Sequence, residues 1–225
     1  MLTHSPVPAP LRDFLWTLRA LQRGTAIFRE GDPVEHVFLL EAGLIKLSRH
    51  LDSQRKMIVR LVRPGELIAD CANGVVGHQR NTAEALSDGL VRVMSREDFQ
   101  IASDSTPSVI AWIAQQVEQR LAELESRMAL ISYARVEIRI LSLLADLAET
   151  TMKAAGLPPE NLAIPLSQSE IGQLIGATRE TASTTLNSLE RRGMLRLGRR
   201  HIEVCSLEAI RTALQADNRA VGAHA

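Results

Sequence analysis

Aromatic residues are scarce in this chain: two tryptophans, one tyrosine and four phenylalanines make up 3% of its 225 residues. Proteins that hold single-stranded nucleic acid stack its bases on aromatic rings, and so few rings argue against that mode. Cysteine is rarer still. Cys71 and Cys205 lie far apart with no Cys-x-x-Cys spacing, which leaves neither a disulfide framework nor a zinc motif, and both are expected to be reduced, buried thiols. Long apolar runs are missing too: no stretch approaches the roughly 18 uncharged residues of a membrane span. The opening MLTHSPVPAPLRDF lacks the basic start and apolar run of a secretory signal. A cytoplasmic protein with no membrane partner is expected. Net charge is absent as well, 26 basic residues cancelling 26 acidic ones, so affinity for a polyanion has to come from local concentration of charge. What is present is 45% hydrophobic content, enough for one large or two small cores.

The most informative stretch is SQSEIGQLIGATRETASTTLNSLERRGML, residues 167–195. Ser167 and Glu170 form a capping-box pattern that starts a helix. Ile171, Leu174 and Ile175 give it an apolar stripe, and Gly176 can end it in the left-handed conformation. Thr178 suits a second N-cap, and Ala182, Leu186 and Leu189 recur at i, i+4, i+7 on one face. At about 100° per residue, Glu180, Thr184, Asn187 and Arg191 fall on the opposite face, with Arg179 and Ser183 flanking it. Gly193 closes this helix. A bidentate cation, a carboxylate and small hydrogen-bonding residues near a helix N-terminus are what reading base edges in a major groove requires: arginine donates twice to guanine, and glutamate accepts from the cytosine amino group. An ordinary solvated face of a helical hairpin could carry the same residues, and the flanks favour the reader.

Met194–Leu197 and His201–Val204 are short runs separated by Gly198, Arg199 and Arg200, the pattern of a hairpin with a basic tip. From Leu166 to Ile202 six arginines stand against three glutamates, a net of +3 in a neutral chain. Such local charge suits phosphate contacts.

With its Ser-x-x-Glu-Ile-Gly, Gly-x-Thr-Arg-Glu-Thr and Leu-Glu-x-x-Gly-Met-Leu runs, this segment resembles the winged helix-turn-helix of the CRP/FNR family of bacterial transcription regulators. By that resemblance Arg179, Glu180, Ser183 and Thr184 are base-reading candidates, and Ser167, Thr178, Asn187, Arg199 and Arg200 backbone-contacting ones. The partners it implies are double-stranded DNA, a second copy of the chain and RNA polymerase, with an activator role.

Upstream, three prolines in the first ten residues predict an irregular arm. Leu11, Phe14, Leu15, Leu18 and Leu21 predict a short opening helix over 11–21. Short β-type runs follow from Gly24 to Met94 (TAIF, HVFLLE, LIKLSRH, KMIVRLV, LVRVM), with glycines near the turns, which predicts a small antiparallel barrel or roll. The run from Phe28 to Asp70 resembles the sensor roll of the same family, so the likeness covers nearly the whole chain. A brief helix opens at Ser95 with acids in its first turn.

Pro107 begins the longest helical pattern. Ile110, Ile113, Val117, Leu121, Leu124, Met128 and Ile131 are spaced 3, 4, 4, 3, 4, 3, a heptad seam that calls for a partner helix. No second helix of comparable length is evident, and the family dimerises through this element, so a homodimer is expected. A new pattern, Val136, Ile140, Leu144, Leu147, follows the end of the seam near Ser132–Arg135, and a short helical pattern follows Leu207. The predicted fold class is α+β: an N-terminal arm and β-roll sensor over 1–104, a dimerisation helix over 105–134 and a winged helix-turn-helix domain over 135–225.

Cyclic-nucleotide-binding members of the family hold their ligand with a Gly-Glu pair, an Arg-Ser pair and a Thr-Ser pair on the long helix. The matching positions here, the effector-pocket candidates, are Ala69, Asp70, Arg80, Asn81, Leu124 and Glu125, and of these only Arg80 is kept. Leucine offers the base no hydrogen bond, and aspartate is one methylene short, so control by cyclic AMP is not expected. Two distant cysteines cannot supply the thiolates of an iron-sulfur cluster. Cys71, His36, His50 and His78 leave haem conceivable, although scattered histidines on a β-roll are more often surface residues. No cofactor and no metal are therefore expected, and the effector stays open.

Two other readings compete. A metal-dependent β-barrel oxygenase would need a close His-x-His pair and a following glutamate, which His36, His50 and His78 do not make, so no enzyme is expected. An effector-binding roll acting through protein contacts alone would leave Arg179, Glu180 and the basic hairpin unexplained.

Overall fold

A computed structural model describes residues 7–52, 56–68, 77–155 and 162–222. Backbone contacts divide the chain into two compact units, Met1–Leu124 and Glu125–Ala225.

Among the described residues the first unit holds seven strands: β1 (Thr17–Leu21), β2 (Ala26–Phe28), β3 (His36–Ala42), β4 (Ile45–His50), β5 (Lys56–Val62), β6 (Thr82–Ala85) and β7 (Gly89–Ser95). They form two antiparallel sheets, in the orders β1-β7-β3 and β2-β6-β4-β5. Successive side chains of a strand point to opposite faces. Phe38 and Leu40, Ile45 and Leu47, Ala83 and Ala85, and Val91 and Val93 therefore alternate into one core. The other face of β3 is buried as well. Val37 and Leu39 pack with Leu11, Leu67, Met94, Phe99, Val109 and Ile113, residues that include the helices α1 (Arg96–Ser105) and α2 (Pro107–Tyr133). Burial on both sides explains why HVFLL reads as a continuous apolar run instead of an alternating one.

The opening helix expected over 11–21 does not form. Ala9–Leu11 make one 3-10 turn and Thr17–Leu21 are β1, paired with β7 from Thr17↔Val93 to Leu21↔Gly89. The apolar spacing did not mark a common buried face: Leu11 is fully buried, whereas Leu15 is 94% exposed. A helix of three turns is marginal alone, and the open edge of β7 gives these backbone groups a ladder instead.

The second unit starts within α2 and continues through α3 (Val136–Ala155), β8 (Leu162–Ile164), α4 (Gln168–Ile175), α5 (Arg179–Arg191), β9 (Leu195–Leu197), β10 (Ile202–Val204) and α6 (Leu207–Gly222). Ile140, Leu141 and Leu144 of α3, Ile171 of α4 and Leu186 of α5 are all fully buried. β10 is the central strand of a three-stranded antiparallel sheet, order β8-β10-β9. Both β6 and β8 escape the sequence reading because TAEA and LAI are too short and too plain to show a period. The helix breaks between Tyr133 and Val136, where the seam was expected to end. Because α2 is one helix that belongs to both units, the three-part division read from the sequence and the two-unit division cut the chain at different points.

Candidate nucleic-acid interface

Each end of α4 and α5 is held by the residues whose types suggested it. Ser167 Oγ accepts the Glu170 amide at 3.3 Å while Glu170 Oε2 accepts the Ser167 amide at 2.9 Å, a complete capping box. Gly176 ends α4 with φ 67°, a conformation that costs glycine little. Thr178 Oγ1 then accepts the Thr181 amide at 3.2 Å and starts α5. Past Arg191, the Gly193 amide donates to Glu190 O at 2.9 Å and the Met194 amide to Leu189 O at 3.2 Å, with φ 73° at Gly193, the paired bonds of a Schellman stop.

Between those stops α5 shows two faces. Ala182, Leu186 and Leu189 are buried, and Arg179, Glu180, Thr184, Asn187 and Arg191 are exposed, as helical spacing requires. Ser183 differs from its fellow candidates: it is half-buried and its hydroxyl donates to Gln168 Oε1 of α4 at 2.8 Å. It ties the two helices together. Ser167 likewise spends its hydroxyl on Glu170.

β9 and β10 form the hairpin expected from the basic tip, with Leu197 opposite Ile202 and Arg199 and Arg200 exposed between them. Some of the local arginines already face carboxylates, Arg192 paired with Glu137 and Arg196 with Glu203 at 3.1 Å. Arg179 and Arg199 have no ion pair among the described residues, so their donors remain available for phosphate or base. Sequence reasoning missed Gln168 and Glu190. The Glu190 carboxylate accepts the Leu197 amide at 2.7 Å and hangs the hairpin from α5; nothing in its spacing signals a bond to a strand.

On α2, Ile110, Val117, Leu121, Leu124, Met128 and Ile131 are 39–60% exposed, an apolar stripe along the helix. Ile113, placed in the same seam by spacing, is 5% exposed and lies in the core beside Val109.

The effector-pocket candidates are described only in part. Ala69, Asp70 and the nearby Cys71 lie outside the described residues. Arg80 is exposed, with its carbonyl accepting from Arg49 Nε at 3.1 Å, and Asn81 is buried. Leu124 and Glu125 are exposed. A cleft of about 210 Å³ in the roll is lined by other residues, among them Asp32, Glu35, His36 and Gln79. His50 is exposed beside Glu30, and His78 is exposed where it bridges Pro33. Among the described residues no three His, Cys, Asp or Glu side chains converge as metal ligands.

Residues 18–105 match the model of the cyclic nucleotide-binding domain, and residues 138–213 that of the Crp-like helix-turn-helix domain. Together the two matches span both units. The chain belongs to the CRP/FNR family of transcription regulators. Within that family it is 29% identical over 187 residues to the cyclic AMP receptor protein of Thermus thermophilus, covering 83% of this chain and 82% of that one. It is 25% identical over 181 residues to the transcriptional activator protein anr of Pseudomonas aeruginosa, covering 79% and 72%. The structure of FixK2 from Bradyrhizobium japonicum superposes with a TM-score of 0.71 at 23% identity, over 88% of this chain and 97% of that one. A CRP/FNR-family regulator from Thermus thermophilus gives 0.71 at 22%, over 88% and 98%. These likenesses establish the fold, a cyclic-nucleotide-binding-type roll with long helices and a helix-turn-helix domain. The chain is a DNA-binding transcription regulator of this family, and the relatives it matches are regulators, not enzymes. No helix among the described residues is long and apolar enough to cross a membrane.

Proposed function

We propose that the chain acts as a homodimer that binds a two-fold symmetric promoter site without control by cyclic AMP. The observation that carries this reading is the stripe on α2: six apolar side chains at heptad spacing, each 39% exposed or more in the single protomer. Fully burying an exposed Leu, Ile, Val or Met side chain gains about 1.5–3 kcal/mol; these six are 39–60% exposed, so covering each gains roughly half of that, and pairing two such stripes is favoured. A two-fold dimer carries two copies of α5, which fits half-sites about one helical turn apart, roughly 34 Å centre to centre.

In each half-site Arg179 reads guanine and Glu180 reads cytosine from the N-terminal turn of α5, while Thr184 leaves one position less demanding. Ser183 and Ser167 support those readers from within. Thr178, Asn187, Arg199 and Arg200 contact the backbone, and bound dimer meets RNA polymerase in the cytoplasm. The exposure of Arg80 and the hydrocarbon at Leu124 support independence from cyclic AMP, as does the replacement of the family's Gly-Glu pair by Ala69 and Asp70.

Selection of bound duplexes from a random pool tests the proposal directly. Recovery of an inverted repeat by protein that sediments as a dimer supports it; recovery of a single unrepeated site, or of no common site, overturns it.

A further inference from the structure

Two arginines join the last turns of α2 to the helix-turn-helix. Arg127, half-buried on α2, donates through Nε at 3.0 Å and through Nη2 to one acceptor, the carbonyl of Leu174 near the end of α4. Arg139 on α3 donates Nη1 to Ile175 O at 3.4 Å and Nη2 to Ile131 O at 2.8 Å. Carbonyls in the last turn of a helix have no intrahelical partner and carry the negative end of its dipole, so a guanidinium is well matched to them. Alongside, the Ile131 Cδ1 atom stands 3.7 Å from where a Cβ on Gly176 would lie, so this side chain abuts the turn between α4 and α5. Burial lowers the pKa of Arg127 from the ordinary guanidinium value, so a costly charge is kept here for these bonds.

The same short length of α2 carries Met128 and Ile131 of the exposed stripe. We propose that Arg127 is a positioning residue that fixes the helix-turn-helix against the seam-bearing end of α2, and thereby sets the half-site separation the protein accepts. This inference rests on the dimeric, two-fold reading above. α5 follows α4 because Ser183 bonds Gln168 and Ala182 packs beneath it, 3.4 Å from where a Cβ on Gly172 of α4 would lie. Planar and forked, the Arg127 guanidinium resists rotation about its bonds in a way that a flexible ammonium does not. Without it α4 keeps its Ser167 cap, its Gly176 stop and its buried Ile171, so the unit still folds while the angle is released.

The test is Arg127→Ala, Arg127→Lys and Arg139→Ala in the full chain. Each is titrated against the selected inverted repeat, against versions with spacers one base pair shorter and longer, and against one half-site, with sedimentation in parallel. Arg127→Ala should stay dimeric and bind the isolated half-site like wild type. It should lose roughly tenfold in affinity at the preferred spacing, the scale of one lost coupling contact, and discriminate poorly among spacings. Arg139→Ala should shift in the same direction, and Arg127→Lys should recover part of the loss. Wild-type affinity and spacing preference in Arg127→Ala overturn the clamp and leave the dimer reading standing. An equal loss on every duplex, the half-site included, also overturns it, because that marks a folding role. A wild-type protein indifferent to spacing overturns both readings.

Discussion

Glu190 accepts the Leu197 amide at 2.7 Å, so α5 and β9, the first strand of the wing hairpin β9–β10, are joined by a side chain instead of by packing alone. Removing the acceptor leaves a half-buried amide unsatisfied, at about 1–3 kcal/mol. Glu190→Ala should therefore speed hydrogen exchange at Leu197 and weaken binding to all duplexes alike, since the base-reading candidates all lie on α5 and none on the β9–β10 hairpin. Unchanged exchange at Leu197 contradicts that role.

Arg179 and the wing arginines should separate cleanly in binding assays. Arg179→Ala is expected to cost roughly 1–3 kcal/mol on the best site and to make one base position in each half-site degenerate. Replacing Arg199 and Arg200 together should leave the preferred sequence alone and reduce the slope of log affinity against log salt by roughly two for each protomer's wing. A wing variant with altered base preference, or an Arg179 variant without one, reverses these assignments.

Leu121 is 55% exposed on the single protomer, so a charge there is tolerated by the isolated fold and not by a paired seam. Leu121→Glu should retain its helical circular dichroism, sediment as a monomer and lose the inverted repeat. A Leu121→Glu dimer that still binds the repeat places the interface elsewhere.

Isothermal titration with cyclic AMP should give no heat of binding in the micromolar range, where about 8 kcal/mol of favourable contacts is needed. Micromolar binding coupled to a gain in DNA affinity would restore ligand control.

The helix-turn-helix was legible because each of its boundaries is a local event. Ser167 with Glu170, Gly176, Thr178 and Gly193 act within four residues of themselves, and the structure finds each where its chemistry suggested. The opening segment was misread for the opposite reason. Leu11 to Leu21 carries helical spacing, and its fate is decided by the free edge of β7, some seventy residues away. Arg127, Glu190 and the Ser183–Gln168 bond stayed hidden in the same way, since their partners are set by tertiary packing. Heptad spacing named seven seam residues, yet could not tell that Ile113 turns into the core beside Val109.

β8 has a consequence for where the reader can be cut from the chain. Residues 162–164 pair with 202–204, and both helices of the reader lie in the loop this pairing closes. Leu162 and Ile164 are almost fully buried, and without them the wing is a two-stranded ribbon of three residues a side, too small to persist alone. Closing that long loop costs chain entropy that only the finished sheet and core return. A fragment starting at Ser167 thus contains every base-reading candidate and lacks the strand that holds their frame; the smallest autonomous reader begins upstream of Leu162.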